Sequence, residues 1–234
     1  MLPHIPLIED LTTGPIPPGS NLLIEFDPAS QWYNACLSIA AGWLRQGGKI
    51  SYNTYTEAPN DVRSKLRRLG VDVELIEKEG GLRIWDWYTL TLGLKSVEKY
   101  SFESLKVNDL NIYFSRQIMR DPPDPNWLRL VDNMSPLSRF NDERSWLEFT
   151  LTRGFPSSKM RKSTNLVSFV RGLHGDHVYK QLEAAVDGVI EFTVDEVEGE
   201  TSTMIRIRNM RDVVFDSRRH RLRFRDNFEA ALEG

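Results

Sequence analysis

Gly14-Pro15-Ile16-Pro17-Pro18-Gly19-Ser20-Asn21-Leu22-Leu23-Ile24-Glu25-Phe26 is the stretch that decides the fold. Pro15, Pro17, Pro18 and Gly19 make a turn, because proline fixes φ near −65° and glycine accepts positive φ. The apolar run that follows is too short for a helix and reads as a buried strand. Asp27 and Pro28 end it. Residues 31–46 are apolar nearly all round and stop at Gly47-Gly48, which predicts a buried helix with a glycine end.

The same alternation continues outward. Residues 49–55 read as a second strand. Residues 60–69 read as an amphipathic helix with Arg63, Lys65, Arg67 and Arg68 on its outer face and Gly70 beyond its end. Residues 82–87 form a third strand. Residues 88–108 carry no clear period and are expected to be an irregular insertion that leaves the sheet. A helix is predicted over 108–120, broken by Pro122, Pro123 and Pro125. A strand over 127–132 ends in a carboxylate, Asp132. Helices over 142–153 and 176–185 flank a strand over 165–170. Beyond Asp187 the pattern changes: residues 188–197, 201–208 and 221–224 alternate apolar and polar, as antiparallel strands do. The predicted fold class is α/β: a mostly parallel central sheet flanked by helices, with antiparallel C-terminal strands, in a single domain over 1–234.

Bulk composition excludes several classes. Of 234 residues, 40% are apolar and 27% charged, a globular balance. The net charge is −3 and the pI about 5.9, whereas a globally basic nucleic-acid binder has a pI above about 9. The one cysteine, Cys36, cannot form an internal disulfide, and its apolar neighbours predict a buried, inert thiol. The N-terminus lacks the basic segment and apolar core of a signal peptide. No apolar run is long enough to span a bilayer. The expectation is a cytoplasmic protein without membrane contact.

The opening segment resembles the start of KaiC-like members of the RecA superfamily, of archaeal type. Four further segments agree in order: Ile50-Ser51-Tyr52 through Glu57-Ala58-Pro59; Leu66-Arg67-Arg68-Leu69-Gly70; the strand ending at Asp132; and Ala185-Val186-Asp187-Gly188-Val189-Ile190 followed by Ile205-Arg206-Ile207-Arg208-Asn209-Met210-Arg211. The resemblance covers nearly the whole chain outside about 88–120. It implies a RecA-like sheet in which residues 22–26 and the strand ending at Asp132 are central neighbours. It also implies a phosphate-binding loop after the first strand.

A phosphate-binding loop needs glycines so that backbone N–H groups wrap the phosphates, a lysine for the β- and γ-phosphates, and a hydroxyl for Mg²⁺. The aligned stretch over 26–34 holds none of these in place. It reads Asp27, Pro28, Ala29, Ser30, Gln31, Trp32, Tyr33, without a glycine. By the resemblance, Trp32 stands at the lysine and Tyr33 at the magnesium hydroxyl. Asp27 puts negative charge where an anion would bind. Ser30 reads as an N-cap, and Trp32 and Tyr33 as filler of the emptied pocket. The family's paired acids after the second strand have become Thr56-Glu57. Asp132 aligns with the acid that helps hold the metal. Near the C-terminus Asn209 replaces a lysine, while Arg211 keeps the place of an arginine that faces a neighbouring subunit; it has Asp212 beside it as an alternative partner.

Two further clusters carry charge. His174 and His177 flank Asp176; without a third histidine or a cysteine nearby, a solvated loop is expected rather than a metal site. Arg219, Arg221 and Arg223 belong to an arginine-rich tail that could follow a nucleic-acid backbone, but its acidic neighbours favour a solvated face. The functional expectation is therefore a non-catalytic, pseudo-ATPase member that associates with copies of itself or with paralogous RecA-type subunits in a regulatory or signalling role. No cofactor or metal is expected, and Glu57 and Asp132 are catalytic remnants. The alternatives are an ATPase or switch that holds ATP and Mg²⁺ by a non-standard loop, and a single-strand nucleic-acid accessory protein of the RadA-paralogue type.

Overall fold

The computed structural model of the chain describes residues 2–117, 122–197 and 199–233. The turn at Gly19, whose φ is 87°, delivers the chain into β1 (Asn21–Phe26), all six residues of which are buried. α1 (Trp32–Arg45) and β2 (Lys49–Thr54) follow. Then come α2 (Pro59–Arg68), α3 (Val73–Lys78), β3 (Leu82–Asp86), α4 (Tyr88–Thr91) and β4 (Tyr100–Ser101). The second half runs α5 (Val107–Gln117), β5 (Trp127–Val131), α6 (Glu143–Phe149), α7 (Phe155–Arg161), β6 (Thr164–Val170) and α8 (Asp176–Ala185). It ends in β7 (Gly188–Val197), β8 (Glu200–Met210), β9 (His220–Phe224) and β10 (Ala230–Leu232).

These strands form one ten-stranded sheet in the order β10-β9-β8-β7-β1-β6-β5-β2-β3-β4. From β7 to β4 every pairing is parallel, and from β7 through β8 and β9 to β10 every pairing is antiparallel. The predicted fold class is thus the observed one. Successive side chains of a strand point to opposite faces, so β1 feeds two cores. Leu22 and Ile24 join α1 and Ile50, Tyr52 and Leu166 on one face. Leu23 joins Val167, Phe169, Trp146 and Leu182 on the other.

Three expectations are corrected. β1 and β5 are both central but are not neighbours: β6 lies between them, pairing Leu22 with Leu166 on one side and Thr164 with Leu128 on the other. Apolar content fixes how deeply a strand is buried. It does not fix which strand lies beside it, because any sufficiently long crossover can insert another. The helix read over 142–153 is present but runs on to Arg161. The Asp142 carboxylate accepts the Ser145 amide at 2.9 Å and starts α6, but a wider turn over Thr150–Gly154 follows before α7 resumes and ends at Lys162 with φ of 56°. Residues 88–108 do not wholly leave the sheet, because Tyr100 and Ser101 pair with Trp85 and Asp86 as its outermost strand. α3 and β10 have no counterpart in the sequence reading.

Candidate functional site

Ligands of open α/β sheets bind outside the carboxyl ends of the strands. Residues 27–31 lie there, between the end of β1 and the start of α1. The loop is a closed turn. The Asp27 amide donates to the Phe192 carbonyl at 2.8 Å, and the Asp27 carboxylate accepts the Ala29 amide at 2.8 Å. The Ser30 amide and hydroxyl both donate to the Asp27 carbonyl, at 2.9 and 2.6 Å. Ser30 is therefore not the N-cap. Gln31 occupies that position without a side-chain cap bond, and its own amide donates to Thr203 Oγ1 at 3.0 Å. Ser30 lies one residue too early, and its hydroxyl closes the turn instead. Thr203 comes from β8, and no local signal in the sequence marks it.

Trp32 is the first residue of α1 and is fully buried. Its indole stacks on Phe26 at a ring distance of 6.0 Å and tilts against Phe192 at 4.8 Å. Its Nε1–H donates to the Asp132 carbonyl at 2.8 Å, which joins the start of α1 to the end of β5. Tyr33 is half-buried, edge-on to Phe26 at 5.5 Å, and its hydroxyl accepts from Asn133 Nδ2 at 3.2 Å. Burial raises the Tyr33 pKa to about 12, so it stays a neutral phenol. Pro28 and Ala29 are exposed at the tip of the turn.

Asp132 lies wholly inside. One carboxylate oxygen accepts the Tyr55 amide at 2.8 Å and the other accepts the Thr56 hydroxyl at 2.6 Å. Burial raises its pKa to about 7, with the Thr56 and Tyr55 bonds opposing. Thr56, which by the resemblance replaces an acid, thus holds the strand-end carboxylate. Glu57 pairs with Lys65 in the last turn of α2.

The remaining candidates lie elsewhere. Arg211 follows the end of β8, which pairs with the first residue of β7, so it sits at the amino ends of the parallel strands, the opposite end from the loop. Its guanidinium donates to the Ala184 carbonyl at the end of α8, at 2.8 Å, rather than to Asp212. A carbonyl of a helix's last turn lacks an intrahelical partner and draws the cation. Arg219 bonds Asp195 at 2.8 Å, Arg221 lies 3.4 Å from Glu233, and Arg223 also pairs with Glu233. Arg206 and Arg208 turn inward to buried Glu191, at 2.6 and 3.2 Å. His174 is not solvated. It is buried against Trp146 at 5.1 Å and Phe169 at 6.0 Å, with Glu143 at 3.3 Å, and burial lowers its pKa. His177 is exposed, 3.5 Å from the same carboxylate. Among the described residues no group of three His, Cys, Asp or Glu side chains is arranged to hold a metal ion, and no helix is long and apolar enough to cross a membrane. Cys36 is buried 3.6 Å from the Tyr52 hydroxyl, and burial raises its pKa.

Comparison with known proteins places this geometry. The family described as KaiC ATPase matches residues 5–228. The chain belongs to the KaiC ATPase family. This KaiC-family chain is 26% identical over 221 residues to a UPF0273 protein of Pyrococcus horikoshii, covering 92% of the chain and 87% of the relative. It is 28% identical over 237 residues to a UPF0273 protein of Saccharolobus solfataricus, covering 96% and 79%. Two solved structures share its fold. The KaiC-like protein of P. horikoshii superposes with a TM-score of 0.71 at 20% identity, covering 100% of this chain and 98% of that one. A second P. horikoshii protein, solved in complex with an unknown peptide, gives 0.73 at 16% identity and covers 94% of each.

Proposed function

We propose that this KaiC-family domain no longer binds or hydrolyses nucleotide and works by protein association, with copies of itself or with paralogous RecA-type subunits, in a regulatory or signalling role. The observation that carries the reading is Trp32. An indole fully buried between Phe26, Phe192 and the Asp132 carbonyl takes the place where, by the family pattern, a lysine would reach a phosphate. The rest of the loop supports the same reading. Anion loops offer free amides at a helix N-terminus, whereas here the Ala29 amide is bound to Asp27 and the Gln31 amide to Thr203.

ATP and Mg²⁺ fit these residues poorly. Both oxygens of Asp132 accept bonds from the protein, and Glu57 is engaged by Lys65. A structural neighbour solved with a bound peptide supports a peptide- or protein-binding role. Isothermal calorimetry of the purified chain with ATP and Mg²⁺ is the test. No binding heat is expected, and binding of micromolar affinity would overturn the reading.

A further inference from the structure

A cavity of about 350 Å³ lies away from the loop, on the other face of the sheet. Residues two apart on a strand share a face. Here that face carries Arg83 and Trp85 of β3, Ser51 and Asn53 of β2, and Trp127 and Arg129 of β5. Register places Ser51 between Arg83 on one neighbour and Arg129 on the other. α7 borders the cavity and adds Ser157, Ser158 and Arg161 to the lining. A sheet face against which helices pack is ordinarily apolar, so three guanidinium groups around one cavity are a departure from packing alone.

One wall of the cavity is aromatic. Trp85 stacks on Phe102 at 4.9 Å and meets Tyr100 at 5.4 Å, and Tyr113 stands edge-on to Phe102 at 4.5 Å. The Arg83 guanidinium lies 4.2 Å from the centre of the Trp127 ring, which fixes its plane. Burial lowers the Arg129 pKa to about 10, with Tyr55 opposing and the Arg161 charge adding to it, and the group stays charged at neutral pH. Asp124 is the one carboxylate among the described lining residues, and it bonds Lys49 at 2.9 Å. A guanidinium has five N–H donors, so a partner within the protein leaves donors for a second anion.

We propose that this cavity binds a small aromatic anion, with a flat ring against Trp85 and a phosphoryl or carboxylate group held by Arg83, Arg129 and Arg161. The volume suits a small-molecule ligand, planar forks of donors suit phosphate and carboxylate, and the aromatic wall selects a ring over a bare ion. This site is independent of the loop at Trp32 and stands whether or not that loop binds nucleotide.

The test titrates phenyl phosphate, benzoate and inorganic phosphate separately into the full chain, followed by calorimetry and tryptophan fluorescence. Saturable binding is expected for phenyl phosphate or benzoate, and the tighter of the two names the anionic group. Inorganic phosphate is expected to bind about tenfold more weakly or worse, since it lacks the ring. Arg83→Gln should lose about tenfold in affinity while melting as the wild type does. A readout on the unaltered chain guards against a variant that does not fold. The tighter probe should slow modification of Arg83 and Arg161 by phenylglyoxal several-fold, mapped by peptide mass spectrometry, and leave exposed Arg67 and Arg218 unchanged. The proposal is overturned if neither aromatic probe binds at millimolar concentration. It is equally overturned if a folded Arg83→Gln chain binds as tightly as wild type, or if the probe leaves Arg83 and Arg161 modification unaltered.

Discussion

Trp32→Lys puts at residue 32 the lysine that the resemblance assigns to this position, and so separates the two readings of the loop. The indole has no exposed surface and contacts two aromatic rings. Removing a buried tryptophan costs about 3–5 kcal/mol through lost transfer energy and the cavity left behind. The lost Nε1–H bond adds little, because the Asp132 carbonyl still accepts from the Ser168 hydroxyl. A lysine at this site must also bury an ammonium or turn it outward at the expense of packing. The total is at least ~3 kcal/mol, and for a domain of this size each kcal/mol shifts the melting temperature by about 2–4 °C. A fall of roughly 6 °C or more is expected by calorimetry or circular dichroism. ATP binding is not expected to return, because Asp27, Pro28 and the absent glycines still prevent a wrapped backbone. Trp32→Phe, which keeps one aromatic ring but loses the bond and part of the indole's buried volume, should cost less, on the order of 1–2 kcal/mol. A Trp32→Lys chain that melts with the wild type would refute the packing argument, and recovered ATP binding would refute the claim that the loop shape forbids it.

Two further predictions follow from the same geometry. Burial raises the folded-state pKa of Asp132, and likewise of Glu25, to about 7. Both side chains ionise more readily in the unfolded chain, so the native state binds more protons between their ordinary carboxylate pKa and about 7, and stability should fall as pH rises through that window. Asp132→Asn should flatten the dependence measured by urea unfolding at pH 4.5, 6 and 7.5, values spaced across about that window; an unchanged slope would show that Asp132 titrates normally. Nucleotide that sits between subunits contributes to their contact, so an assembly that lacks it should not respond to it. Light scattering is expected to give the same mass with and without ATP and Mg²⁺, and a larger assembly formed only with ATP would contradict the proposed function.

Local signals made most of the fold legible. The turn at Gly19, the apolar run through β1 and the all-round apolar α1 each depend on neighbours in sequence, and all three appear as read. The change from parallel to antiparallel pairing near Asp187 was visible because half-buried strands alternate while fully buried ones do not. The absence of glycine over residues 26–34 and the presence of Trp32 and Tyr33 there are equally facts of the sequence, and an indole in an apolar helix reads as buried, as Trp32 is. Tertiary structure decided the rest. Ser30 reads as a cap by type and position, yet the cap region is bound by Thr203, which is 172 residues away. His174 reads as solvated among glycines and charges, yet Trp146 and Phe169 enclose it. β6 inserts between β1 and β5, and three arginines from β3, β5 and α7 meet at one cavity. These features depend on which distant segments are brought side by side. Pattern along a chain reports how deeply a residue is buried, whereas the identity of its partner is set only when the crossovers close the sheet.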